Sequence, residues 1–236
     1  MIVKTKAIVL KNTNYSENSV ISKMYTREYG MRTYILQSIR KGKSAIRPSM
    51  VQPLSIVQMD VYEKANANIN RIKELKNVPL LIEIQENILK RTIALFLVEI
   101  LNHCITEEQC EEELFDFIEH QILQLENESA PKFVPILFLT ELSYHLGVEP
   151  QGEFSARTPY FSIDEGVFVA EMSLQTLSPD ISNLLSRFLQ KKELNRLKIN
   201  ANHKREVLDA LIRYYQYHVT KNKKIKSVEI LSELLS

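Results

Sequence analysis

The sequence predicts an α+β protein in which a small five-stranded β-barrel precedes an α-helical bundle carrying a small β-insert. Three observations predict it. Apolar and β-branched residues recur with a strand period through residues 1–78, the period becomes helical from Pro79 onward, and charge is segregated along the chain.

The barrel strands come first. Ile2 to Leu10 is rich in β-branched residues, and Asn12-Thr13-Asn14 reads as the turn after it. Ser19 to Thr26 alternates and closes at Tyr29-Gly30, where glycine supplies a positive φ. Met31 to Ile39 is a third strand, followed by the basic loop Arg40-Lys41-Gly42-Lys43-Ser44. Leu54 to Glu63 alternates again. After a turn at Asn66 to Asn70, Ile69 to Val78 forms the fifth strand. Five short strands without a long helix fit the OB-fold, and on pattern alone an SH3-like barrel as well.

Pro79 suits a first helical turn. Leu80 to His103 reads as one helix, with Ile84, Ile88, Ile93, Phe96 and Leu97 at helical spacing. Thr106-Glu107-Glu108-Gln109 is a capping-box candidate for a helix reaching Leu125. Lys132 to Leu146 forms a third helix, stopped by Gly147. Residues 148–176 break the pattern with Pro150, Gly152, Pro159 and Gly166, and Tyr160–Ile163 and Val167–Val169 read as two short strands. Ser178-Pro179 opens a helix to Gln190, Asn202 opens one through His218, and Ile225 to Leu235 closes the chain. The expected domains are therefore 1–78 and 79–236, the latter holding the 148–176 insert.

The formal net charge of +1 hides the segregation. Residues 1–78 carry 14 Lys/Arg against 5 Asp/Glu, residues 79–180 carry 4 against 19, and residues 181–236 carry 12 against 5. Such blocks also arise as ordinary solvated faces. A small domain at +9 nevertheless repels itself, and a polyanion partner gives that charge a purpose.

Other classes find little support. No apolar run approaches the roughly 20 residues of a membrane span, and Lys4, Lys6 and Lys11 interrupt any leader-like N-terminus. The expected location is the cytoplasm, in association with the nucleoid. Cys104 and Cys110 form neither a CxxC pair nor a disulfide framework. The chain has no GxSxG, Walker A or GxGxxG motif. Glu99…His103 and Glu141…His145 are spaced by four residues, whereas the di-metal bundle motif uses three, so both histidines read as ordinary helix residues. Cys104 beside His103 lacks a third, orienting group.

Lys6-Ala7-Ile8-Val9-Leu10, Tyr15-Ser16-Glu17-Asn18-Ser19 and Tyr25-Thr26-Arg27-Glu28-Tyr29-Gly30, then the Arg40-Lys41-Gly42-Lys43 loop, follow one another in an order that resembles the bacterial RecO family of recombination mediators. Phe133 to Gly147 is similar to the family's helix ending in Leu-Gly. Arg213 to His218 followed by Ile225-Lys226-Ser227 looks like its closing helix and Lys-Ser tail. The resemblance spans the chain. It implies a non-enzymatic protein without cofactor that binds single- and double-stranded DNA and anneals strands. It also implies engagement of the acidic C-terminal tail of the single-stranded-DNA-binding protein SSB, and cooperation with RecR to load RecA. Many members hold zinc with four cysteines in the insert. Residues 148–176 here have neither cysteine nor histidine, so no such site is available and packing must hold the insert, with Phe154, Tyr160, Phe161 and Phe168 the candidates.

The DNA-binding candidates are Arg32, Arg40, Lys41, Lys43 and Arg47, with Tyr25, Tyr29 and Tyr34 among them. Cations on phosphates beside aromatics for base stacking are how OB-folds hold single strands, although strand aromatics also serve as barrel core. A second cluster, Lys191, Lys192, Arg196, Lys198, Lys204 and Arg205 with Lys223, Lys224 and Lys226, extends a DNA path or pairs with the acidic middle of the chain. For the SSB tail, the resemblance points to the helical domain, where Lys132 stands beside Phe133, Ile136 and Leu137. The competing reading is a protein-interaction scaffold whose basic surface meets acidic partners without direct DNA binding.

Overall fold

The computed structural model describes residues 1–37, 39, 46–63, 67–105, 110–191 and 199–234. The chain folds as two compact units, Met1–Ser129 and Ala130–Ser236. Residue 78, the boundary expected from sequence, is where strands give way to helices. Three helices beyond it fold with the barrel.

The first unit is built on a closed barrel, ordered β1 (Ile2–Ser16), β2 (Ser19–Thr26), β3 (Gly30–Leu36), β5 (Asn70–Asn77), β4 (Ile56–Tyr62) and back to β1. This is an OB-like barrel, in which β3 and β5 meet in parallel and the other neighbours are antiparallel. Ala7, Val9, Val20, Met24, Tyr34, Leu36, Val57, Met59 and Val61 fill the interior. The strand period decides this, since alternate side chains of each strand share a face.

One expectation is corrected here. Asn12-Thr13-Asn14 is not a turn: these residues pair with Ser22, Ile21 and Val20, so β1 runs on to Ser16 and the reversal falls at Glu17-Asn18. Their backbone is satisfied by the ladder while the residues themselves are exposed, so this end of β1 adds nothing to the core.

The helices of this unit are α1 (Ile82–Glu86), α2 (Ile88–Cys104) and α3 (Glu112–Asn127). The single helix expected over Leu80–His103 is divided at Asn87, whose extended backbone ends α1 while its side-chain oxygen accepts the Lys90 N–H to cap α2. The Thr106–Gln109 capping box lies outside the described residues.

The second unit has α4 (Val134–His145), the hairpin β6 (Tyr160–Ser162) and β7 (Val167–Val169), then α5 (Pro179–Leu189), α6 (Ala201–His218) and α7 (Ser227–Leu234). Pro131–Phe133 is a separate 3-10 turn ahead of α4, and Asn200, not Asn202, caps α6. The insert is packed on α6. Phe161 lies 5.1 Å from Phe168 and 6.0 Å from Tyr214 between ring centroids. The Tyr214 hydroxyl donates to the Val148 carbonyl at 2.7 Å, and His218 Nε2 lies 2.8 Å from the Ile163 carbonyl. Gly166 has a φ of +73° and faces the Tyr214 ring, so a side chain there would meet both strain and an aromatic wall.

Glu126 of α3 caps α1 from a distance. Its carboxylate accepts the N–H groups of Ile82, Glu83 and Ile84 at 2.8–2.9 Å, where Leu81 offers no cap of its own. Lys90, buried on α2, donates to the Glu126 carbonyl at 2.6 Å and pairs with Glu83 at 3.5 Å. Glu126→Ala is expected to destabilise this unit by about 1–2 kcal/mol, the usual cost of a lost cap, read as a lower midpoint in urea unfolding. Glu126→Gln is expected to lose less, because its amide oxygen still accepts.

Candidate nucleic-acid interface

The barrel's cations fall into two groups according to what faces them. On one side, α3 lays its acidic residues against β1 and β2. Arg27 holds Asp116 through two hydrogen bonds of 2.9 and 3.1 Å and reaches Glu112 at 2.9 Å. Lys6 is ion-paired with Glu119. The Arg27 guanidinium holds the Asp116 carboxyl below the usual carboxylate range. Tyr25 completes this seam: its ring packs 6.0 Å from Phe115 and its hydroxyl donates to the Glu111 carbonyl at 3.2 Å. Burial pushes its phenol up to about 12.

The other side is set by strand register. Lys11 on β1 stands directly opposite Lys23 on β2, which stands opposite Thr33 on β3. The adjoining row is Thr13, Ile21, Ile35 and Arg71, crossing β1, β2, β3 and β5. Arg71 and Lys73 then line a groove of about 200 Å³ with Ile35, Gln37, Ile46 and Ile72. Among the described residues no carboxylate lies within ion-pair distance of Lys11, Lys23 or Arg71, and Lys73 reaches only its neighbour Glu74, at 4.0 Å. This face offers cations with half-buried isoleucines between them. The residue count along the chain did not reveal it, because register is what brings these positions together. Lys11 and Lys23 were visible only as separate charges.

The residues singled out from sequence distribute differently. Arg40, Lys41 and Lys43 lie outside the described residues; Arg47 is exposed beside the 3-10 turn Pro48–Val51. Arg32 is redirected. It shares strand parity with Tyr34 and Leu36, which face the core, and is bound to Glu63 at 3.1 Å at the barrel mouth. Glu63, nearly buried, also accepts from Tyr34 at 3.4 Å and Asn70 at 3.2 Å, so this cluster fastens β3 to the β4–β5 end. Tyr25 and Tyr34 are wholly buried, so neither is a stacking surface. Burial and Glu63 together raise the Tyr34 phenol.

In the second unit, Lys192 and Arg196 lie outside the described residues, and Lys191 is ion-paired with Glu141 of α4. Lys204 is buried. It begins the stripe Lys204, Val207, Leu208, Leu211 that faces the core of α6, a spacing already present in the sequence. Burial first, and the nearby Lys132 ammonium second, lower its pKa. Lys132 itself is exposed, Phe133 and Leu137 are half-buried, and Phe133 lies 5.6 Å from Phe188. Ile136 is core. Among the described residues no three His, Cys, Asp or Glu side chains are grouped to hold a metal ion, and no helix is long and apolar enough to cross a membrane.

Residues 1–79 match the family described as Recombination protein O N terminal, and residues 85–227 match Recombination protein O C terminal. Over its whole length the chain is similar to the DNA repair protein RecO of Flavobacterium psychrophilum, 31% identical over 239 residues with both chains fully covered. It is 32% identical over 238 residues to the RecO of Flavobacterium johnsoniae, again with full coverage. To that of Azobacteroides pseudotrichonymphae it is 30% identical over 237 residues, covering 98% of each.

Like charges directly opposite on paired strands destabilise a sheet. Lys23→Gln is therefore expected to stabilise the barrel, by about 0.5 kcal/mol on the scale of cross-strand pairs, seen as a raised unfolding midpoint. Arg27→Gln, which opens the seam with α3, is expected to lower it.

Proposed function

The chain belongs to the RecO family, whose role is in DNA repair and recombination, and from that premise we propose that it acts as a non-catalytic mediator that binds DNA through the outer face of its barrel. The observation that carries this is the set of cations Lys11 and Lys23 on one cross-strand row and Arg71 on the adjoining one, left without carboxylates while α3 neutralises Lys6 and Arg27. The loop Arg40, Lys41, Lys43 and Arg47 continues that face in sequence and supplies four further cations within eight residues. Lys192 and Arg196 belong to the same reading as a secondary contact. Lys191, Lys204 and Arg32 do not, being held within their own units.

The barrel's contacts follow the phosphate chain, and bases are met by apolar and aromatic side chains, so binding is sequence-tolerant. Holding two strands at once gives annealing. Cooperation with RecR and the loading of RecA on SSB-coated DNA are what the family resemblance adds. The scaffold alternative, with acidic protein partners only, uses the same opposed lysines, and salt-dependent DNA binding separates the two.

The second unit is the proposed receptor for the SSB tail, an acidic segment with an apolar end. Lys132 is exposed just ahead of α4, with Phe133 and Leu137 half-buried beside it. A cation next to an apolar recess is the chemistry such a tail requires.

Two measurements test these readings. Binding of labelled oligothymidylate, followed by anisotropy across salt concentrations, is expected to weaken with a slope of about −0.7 in log K against log salt per phosphate contacted. Reversing Arg40 and Lys41 to Glu lowers affinity and slope together while leaving the unfolding midpoint nearly unchanged. A flat salt response, or no binding at low salt, removes the DNA reading. For the tail, Lys132→Glu is expected to weaken binding of a synthetic acidic tail peptide about tenfold, the order of a lost charge-assisted contact. Unchanged affinity moves the receptor elsewhere.

A further inference from the structure

We propose that Tyr15, at the tip of the β1–β2 hairpin, is a base-stacking platform that distinguishes single-stranded from double-stranded nucleic acid; this rests on the DNA-binding reading above. Of the barrel's five tyrosines, Tyr25 and Tyr34 are fully buried, Tyr29 is half-buried, Tyr62 is 44% exposed and Tyr15, at 65%, is the most exposed. Among the described residues no ring contact holds it.

The register explains the exposure. Along β1 and β2 the pairing slips twice, once between Val9 and Lys11 and once between Asn14 and Ser16. Each slip leaves one extra residue in β1, and a bulged residue is aimed differently from its neighbours. The first extra residue, Leu10, is buried, and its carbonyl accepts from Asn102 of α2 at 3.2 Å. The second is Tyr15, turned to solvent between the Asn14–Val20 pair and the last pair, Ser16 with Ser19. One bulge therefore serves packing, and the other presents an aromatic ring that packing does not use.

The ribbon that carries it is braced. Asn12 donates its side-chain N–H to the Val51 carbonyl, and the Asn18 carbonyl accepts the Ile39 N–H at 3.0 Å. The latter bond joins the hairpin tip to the end of the segment that runs on, in sequence, into Arg40 and Lys41. Lower on the ribbon stand Lys11 and Lys23, opposite one another. A phosphate chain drawn along these cations brings bases to the tip, where the braced backbone presents an exposed ring for them to stack on. Every base has a π-face, so the contact tolerates any sequence. In a duplex those faces are already covered by neighbouring bases, and the platform finds nothing to stack on.

The chain has no tryptophan, so Tyr15→Trp creates a single emitting reporter at the site. Titration with oligothymidylate is expected to quench its emission saturably, and titration with a blunt duplex of equal length to leave it nearly unchanged. Tyr15→Ala is expected to weaken oligothymidylate binding about tenfold, within the range for one stacked base, with the salt slope and duplex affinity retained. Tyr15→Phe keeps the parental affinity. If oligothymidylate binds by anisotropy while the tryptophan is unquenched and Tyr15→Ala matches the parent, the platform is disproved and the DNA reading stands. If Tyr15→Ala loses single-strand and duplex affinity equally, the ring holds the hairpin and does not stack. If the parent binds no oligothymidylate at low salt, the DNA reading itself falls and this proposal with it.

Discussion

The contact between α3 and the barrel, Arg27 held by Asp116 and Glu112 with Lys6 on Glu119, controls how the first unit presents its charge. Taken to residue 129, the unit carries 16 basic against 17 acidic residues, so the excess of the first 78 residues is cancelled overall. It is not cancelled evenly. Three acids of one helix, Glu112, Asp116 and Glu119, hold Arg27 and Lys6, and the register of the strands puts Lys11, Lys23 and Arg71 where no carboxylate pairs with them. An exposed ion pair contributes little to stability. Here its larger effect is to make a near-neutral unit two-sided.

A closed barrel of this size also needs its weakest joint fastened. The β3–β5 junction is two register pairs long, Tyr34 with Asn70 and Ile35 with Arg71. Glu63 gathers Arg32, Tyr34 and Asn70 at that end, so a nearly buried carboxylate is satisfied by three partners and the joint is closed by side chains where the backbone ladder is short. The insert of the second unit is secured by other means: an aromatic stack from Phe168 through Phe161 to Tyr214, with the Tyr214 hydroxyl and His218 bonded to its backbone.

Local physics was legible in the sequence. The five strands, the β6–β7 hairpin and α5 follow from period and punctuation alone, because each is decided by residues close in the chain. What sequence reading missed involves partners far away. Arg27 and Asp116 are 89 positions apart, so the seam that occupies the barrel's cations leaves no local mark. Arg32 and Lys204 are different. Parity with Tyr34 and spacing to Val207 and Leu211 mark both as inward positions in the sequence itself, but a charged side chain argues for solvent and masks the period. The continuation of β1 through Asn12–Asn14 was hidden because residues 11–16 are all exposed, and without a buried face on that stretch there is no alternation to read.

That ribbon is also where the structure departs most from what stability alone selects. Lys11 faces Lys23, residues 11–16 are all exposed, and the pairing slips before the tip. None of this improves the barrel's core. Natural folds break local rules of this kind chiefly at functional positions, where the interaction that offsets the cost comes from outside the molecule. A polyanion laid over the two lysines converts their repulsion into attraction. An unstacked base laid on Tyr15 gives the exposed ring the contact that its own chain withholds. The same features that weaken the isolated hairpin are then the ones a single strand satisfies.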